Sequence, residues 1–189
     1  MDVRRTAIDL APVAALAVLA VVVVALAVQA PRSSGAGGLR CDGKAVTITE
    51  DKFGGPINGA DDRIEGTNGV DVIYAAGGDD RINVFGGDDI VCGGPGRERV
   101  EGDFGADVIF GDAGDDSGGG AEGFRLVGGT GGDEIHGGGG EDRLNGNSGK
   151  DEMFGEQDDD ELDGGSESDL CAGGKGDDVA KACERVSGV

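Results

Sequence analysis

The sequence predicts an all-β fold assembled from one short repeated unit, not a globule with a large mixed core. Of 189 residues, 41 are Gly, aromatics make up 4%, and Trp is absent, so a broad aromatic core is excluded. The chain carries 16 Lys and Arg against 38 Asp and Glu, for a net charge of −22. Such a polyanion repels phosphates, which argues against a nucleic-acid partner. Composition alone would describe acidic disorder. The decisive observation is that the glycines and aspartates are periodic.

The first 30 residues form a targeting segment outside that fold. Arg4 and Arg5 precede an apolar run from Leu10 to Val28, and Ala25-Leu26-Ala27 supplies a small-residue cleavage site. The run is also long enough to span a bilayer, so 1–30 reads as a signal peptide or a retained anchor. Residues 31–38, PRSSGAGG, form a flexible linker. Everything beyond them is expected outside the cytoplasm, with membrane contact only if the anchor is retained.

Aligned on an acidic residue with a branched residue two places later, residues 57–181 divide into thirteen nonads and one octad. GTNGVDVIY (66–74), GDFGADVIF (102–110) and GNSGKDEMF (146–154) show the pattern. Position 6 is Asp in twelve of fourteen units, Glu98 in one and Phe124 in another. Position 8 is Ile, Leu, Val or Met in eleven units, and position 4 is Gly in ten.

In these residues the chain resembles the RTX, or haemolysin-type, calcium-binding nonapeptide family, G-G-x-G-x-D-x-U-x. The resemblance implies a right-handed parallel β-roll of about seven turns, two nonads per turn, capped at both ends. It also implies that Gly-rich turns bind Ca²⁺ and that x-U-x segments form strands. The chemistry agrees. Ca²⁺ seeks six to eight oxygens from carboxylates and backbone carbonyls. Gly at positions 1, 2 and 4 is expected to let the backbone turn with positive φ and aim its carbonyls inward. The expected metal ligands are Asp62, Asp71, Asp80, Asp89, Glu98, Asp107, Asp116, Asp133, Asp142, Asp151, Asp160, Asp169 and Asp178. The expected turn glycines are Gly69, Gly78, Gly87, Gly105, Gly131, Gly140 and Gly149. Residues 57–181 hold 32 acidic and 9 basic residues, a net −23. On the order of ten calcium ions would neutralise it.

Alternate units would share an edge of the roll. One edge would stack Asp62, Asp80, Glu98 and Asp116, and the other Asp71, Asp89 and Asp107. Beyond a break at 117–127, SGGGAEGFRLV, the columns would be Asp133, Asp151, Asp169 and Asp142, Asp160, Asp178. The break predicts one or two empty sites, a bulged loop, and a division of the roll into two cooperative halves. A second weak stretch, 155–172, has Asp158 and Glu167 at position 4, where Glu is the worse fit to a left-handed turn. Glu98 keeps a carboxylate on a longer arm and predicts a weaker site. The position-5 aspartates, such as Asp61, Asp79 and Asp88, are expected to face solvent.

Outward positions 7 and 9 alternate with an 18-residue period. Val72/Tyr74, Ile90/Cys92 and Val108/Phe110 fall on one sheet; Arg63/Glu65, Arg81/Asn83 and Arg99/Glu101 fall on the other. The apolar stripe calls for a cover or a partner. Residues 39–56, containing the alternating AVTIT, are expected to fold over Val72, Ile90 and Val108 as an N-terminal cap. The alternative is a protein or glycan partner on that face. Four cysteines in an exported chain suggest two disulfides with three connectivities. The favoured pairs are Cys41–Cys92, which would pin the cap, and Cys171–Cys183, which would tie the last turns to a C-terminal cap at 182–189. Free thiols are the alternative.

No catalytic constellation is present. There is no HExxH and no Gly-x-Ser-x-Gly, and the single imidazole, His136, falls at outward position 9 as a surface residue. The expectation is a non-catalytic, secreted calcium-binding module whose folding is coupled to Ca²⁺. Its alternative is a cell-surface adhesion module.

Overall fold

A computed structural model describes residues 40–49, 56–117 and 125–188. The proposed targeting segment and linker lie outside the described residues, as does Phe124. Every regular element among the described residues is a strand. In chain order they are β1 (Arg40–Cys41), β2 (Lys44–Ala45), β3 (Arg63–Glu65), β4 (Val72–Tyr74), β5 (Arg81–Asn83) and β6 (Ile90–Pro95). There follow β7 (Arg99–Phe104), β8 (Val108–Ala113), β9 (Arg125–Thr130), β10 (Glu134–Gly139) and β11 (Arg143–Ser148). The last are β12 (Glu152–Gln157), β13 (Glu161–Asp163), β14 (Leu170–Lys175), β15 (Val179–Lys181) and β16 (Arg185–Ser187).

From β3 onward the chain alternates between two seven-stranded sheets, the odd-numbered strands β3 to β15 forming one and the even-numbered β4 to β16 the other. All pairings within both sheets are parallel. The reason is the nine-residue period. One nonad of strand and turn carries the chain to the opposite sheet, and the next brings it back one strand spacing further on, about 4.8 Å. Position 8 points inward and makes the core, from Ile64 and Ile73 through Ile109, Leu126 and Ile135 to Leu162 and Cys171.

The roll has about six turns, not seven, because the break at 117–127 is an insertion and not a pair of repeat units. Strand β9 pairs with β7 on one side and β11 on the other. Likewise β8 pairs directly with β10. Neighbouring strands are therefore 26 residues apart here in place of 18, Ile109 facing Ile135 and Val100 facing Leu126. The chain between Asp116 and Arg125 is thus eight residues longer than the repeat requires, and Arg125 takes the place in the repeat that follows Asp116. Both sheets run through the break, so it does not divide the roll structurally.

The glycines answer two different demands, not the single one of positive φ. Position 4 lies in the left-handed region at Gly78, Gly87, Gly105, Gly131, Gly140 and Gly149, with φ from 113° to 144°. Gly96, Gly114 and Gly176 do the same, whereas Gly69, in the first turns, does not. Position 2 is equally left-handed, even as Phe85 (67°), Asp103 (64°) and Asn147 (71°). Position 1 glycines have no such φ. They are required by close approach, as the site geometry below shows. Asp158 and Glu167 adopt φ of 70° and 85°, so the 155–172 stretch keeps the turn.

At the N-terminal end, the Cys41–Cys92 disulfide places Cys41 against Val72 and Ile90. Thr47 caps the edge of the even sheet, its N–H donating to the Val72 carbonyl (2.8 Å) while its Oγ1 accepts from the Val72 N–H (2.8 Å). Val72 and Ile90 are buried, while Tyr74, Val108 and Phe110 are only partly covered. The second disulfide, Cys171–Cys183, leads into β16, which pairs with β14 as a further strand. On the odd sheet, Arg63, Arg81, Arg99 and Arg125 stand in register, followed by Arg143 on β11.

His136 is not a solvated surface residue. Its ring is stacked between Phe110 (4.9 Å) and Phe154 (4.8 Å). Its Nδ1 lies 3.0 Å from Glu156 Oε1, and its Nε2 3.0 Å from Glu134 Oε1. Burial works against the charged ring, but the two carboxylates outweigh it and raise its pKa.

Candidate metal centre

Each position-6 carboxylate sits where the turn enters a strand, and all thirteen, Asp62 to Asp178 with Glu98, are buried. Two columns result. One runs Asp62, Asp80, Glu98, Asp116, Asp142, Asp160, Asp178; the other runs Asp71, Asp89, Asp107, Asp133, Asp151, Asp169. The alternation continues unchanged across the break, so Asp116 stacks on Asp142 and Asp107 on Asp133.

Within a column one carboxylate oxygen is used by the fold. Asp80 Oδ1 accepts from the Asp62 N–H (2.7 Å) and Asp89 Oδ1 from the Asp71 N–H (2.7 Å). The same bond crosses the break from Asp107 to Asp133 (2.9 Å) and from Asp116 to Asp142 (3.0 Å). It continues to Asp151, Asp160, Asp169 and Asp178 at 2.9–3.0 Å.

The other oxygen, Oδ2, is buried without any hydrogen-bond partner at Asp80, Asp89, Asp107, Asp116, Asp133, Asp142, Asp151, Asp160, Asp169 and Asp178. At Asp107, Asp116, Asp142, Asp151, Asp160, Asp169 and Asp178 it lies beside a carbonyl of the next turn. A Cβ added to Gly111 would lie 2.5 Å from both Asp116 Oδ2 and the Gly137 carbonyl oxygen of the next turn. At Gly173 the same point lies against Asp178 Oδ2 and the Gly188 carbonyl. At these units position 1 is glycine because a carboxylate and a carbonyl converge there, whereas Ala75 and Val84 hold position 1 in the units of Asp80 and Asp89 and join the core. Two acceptors meeting out of water, with no donor between them, are costly.

That cost shows in the acidities. Burial, reinforced by neighbouring carboxylates, pushes Asp80, Asp107, Asp116 and Asp160 up to about 7 and Asp142 up to about 8. Asp151 is raised to about 6, and Asp89 and Asp133 are raised by burial. These donors fit a hard divalent cation, which would neutralise the paired acceptors and accept both kinds of oxygen. Among the described residues, no three His, Cys, Asp or Glu side chains converge as a metal cluster. A cation here would draw one carboxylate from each of two turns and complete its shell with turn carbonyls. Inward carbonyls at position 1 match the sequence expectation, but the glycines there reach that arrangement without the positive φ expected of them. The position-5 groups lie outside the columns, half-exposed at Asp79 and exposed at Asp61 and Asp88.

The acidities also carry a sign. A carboxyl whose folded pKa exceeds its unfolded value of about 4 stabilises the metal-free fold fully below that value. The contribution is lost as pH rises through about 6–8, the folded range at these groups. In chelator, circular dichroism should therefore show more β structure at pH 5 than at pH 8. A larger β signal at pH 8 would contradict the buried, unpartnered state of these oxygens.

Two parallel sheets joined by carboxylate-lined turns define the class: a β-roll with acidic, cation-compatible edges. The model of the RTX calcium-binding nonapeptide repeat matches four times, at residues 57–91, 93–124, 125–153 and 145–180. The chain belongs to that family, whose repeats bind calcium. No curated protein matches the chain.

Proposed function

We propose that this chain is an exported, non-catalytic calcium-binding module whose roll folds as Ca²⁺ fills its turns. The observation that carries this reading is the row of unpartnered Oδ2 atoms, seven of them set beside a carbonyl of the next turn. Asp62 through Asp178 of the two columns, with Glu98, would hold the ions. When bound, calcium supplies positive charge between turns that otherwise repel one another. The protein's own part is to fix each aspartate of the columns from Asp80 onward with the N–H of the turn before it. Non-catalytic character is supported by His136, whose two ring nitrogens are both engaged by glutamates and whose faces are both covered. Export is supported by the N-terminal charge and hydropathy pattern together with two disulfides. Residues 40–49 serve as a cap, pinned by Cys41–Cys92.

Equilibrium dialysis of the whole oxidised chain against Ca²⁺, with Mg²⁺ as competitor, tests the reading. On the order of ten calcium ions should be retained per chain at about 10⁻³ M, with little displacement by Mg²⁺. Retention of none, or equal retention of both metals, would overturn it.

A further inference from the structure

We propose that the calcium site between the turns of Asp80 and Glu98 is the weakest in the roll and the last to fill, so that loading proceeds in two steps. This rests on the calcium reading above. Its first support is a missing rung. The Asp62 N–H bonds Asp80, and the Glu98 N–H bonds Asp116 Oδ1 (2.6 Å), as in the rest of the column. Glu98 itself accepts nothing. It is fully buried, and both Oε1 and Oε2 are without partners.

The extra methylene is the cause. A Cβ built on Gly93 would meet Glu98 Cγ at 2.7 Å, where the equivalent point at Gly111 meets an oxygen of Asp116. The methylene thus takes the closest place, and Oε2 is set back to 3.1 Å from the same point. Oε1 is carried across toward Gly96, 2.9 Å from a Cβ placed there. A carboxylate without its outer hydrogen bond is free to swing, and loss of such a partner weakens metal affinity by about 10–100-fold.

The second support is electrostatic. Arg97, beside Glu98, donates through its guanidinium to the carboxylate of Asp79, beside Asp80. A fixed positive charge therefore bridges the outer side of the same two turns and opposes an arriving cation. The other column has Asp at every rung through this region, with Asp71, Asp89 and Asp107 linked by unbroken N–H bonds of 2.7 and 2.9 Å.

Calcium titration of the whole oxidised chain by calorimetry, with native mass spectrometry at each point, tests the proposal. The expected result is a persistent species one ion short of full loading, the last ion binding about 10–100-fold more weakly than the mean. Glu98→Asp should merge that step with the main phase. Arg97→Asp, which leaves every carboxylate of the column in place, should shift it in the same direction. A single class of equivalent sites in the wild type would overturn the proposal and leave the calcium reading intact. So would a weak step that survives unchanged in both variants. No calcium binding at all would overturn both.

Discussion

In chelator at neutral pH, the oxidised chain should lose most of its far-UV β-sheet signal. Calcium at about 10⁻⁴–10⁻³ M should restore it cooperatively, and magnesium should not. The expectation follows from how little apolar surface the roll buries. Each nonad contributes one inward side chain, such as Ile135 or Leu144, while ordering several glycines whose backbone freedom is costly to remove. Most rungs also remove a carboxylate from water and leave one oxygen without a donor, in seven cases beside a carbonyl. The metal-free roll therefore carries a penalty at nearly every turn that only a cation or a proton relieves. Magnesium should fail because it demands a smaller, near-octahedral shell and gives up its waters reluctantly. An undiminished β signal in chelator would mean that the core and the two disulfides hold the roll unaided.

The second large effect is expected at position 4. A Cβ on Gly149 would overlap the carbonyl oxygen of Gly131 in the turn before, and φ there is 143°. That conformation is essentially closed to residues with a side chain. Relief requires separating two turns, which would also open the calcium site between them. Gly149→Ala should therefore prevent cooperative folding at calcium concentrations that saturate the wild type, or raise the midpoint at least about tenfold. Glu167→Gly should act in the opposite sense. Glu167 holds φ at 85° in the same position, and relieving that strain should stabilise the roll by roughly 0.5–1 kcal/mol after the entropy of the added glycine. Thermal unfolding at fixed calcium measures both. A Gly149→Ala protein that unfolds like the wild type would show that the turns are looser than their stacking indicates.

Much of this was legible before any coordinates because the demands are local and repeated. Asp at position 6 and an apolar residue at position 8 recur in phase because each turn needs a short carboxylate at the strand entrance and one inward side chain behind it. The alternation of Arg63, Arg81 and Arg99 with Val72, Ile90 and Val108 showed two sheets, since 18 residues return the chain to the same face. The cysteine pairs were favoured on placement, and Cys41–Cys92 and Cys171–Cys183 are both formed.

The sequence by itself thus determined the repeat, the parallel roll, the buried carboxylates and the calcium-binding family. Tertiary structure alone decided how the units meet. An eight-residue insertion is nearly one repeat long, so counting cannot separate it from an octad unit; only the pairing of β7 with β9 and β8 with β10 does. Stacking likewise decided that position 1 is glycine for space and not for φ, that Glu98 breaks a rung, and that His136 lies between two phenylalanines. Each of these depends on atoms 18 or more residues apart brought within a few ångströms. A local pattern specifies what one turn requires, but the contact between turns belongs to the stack.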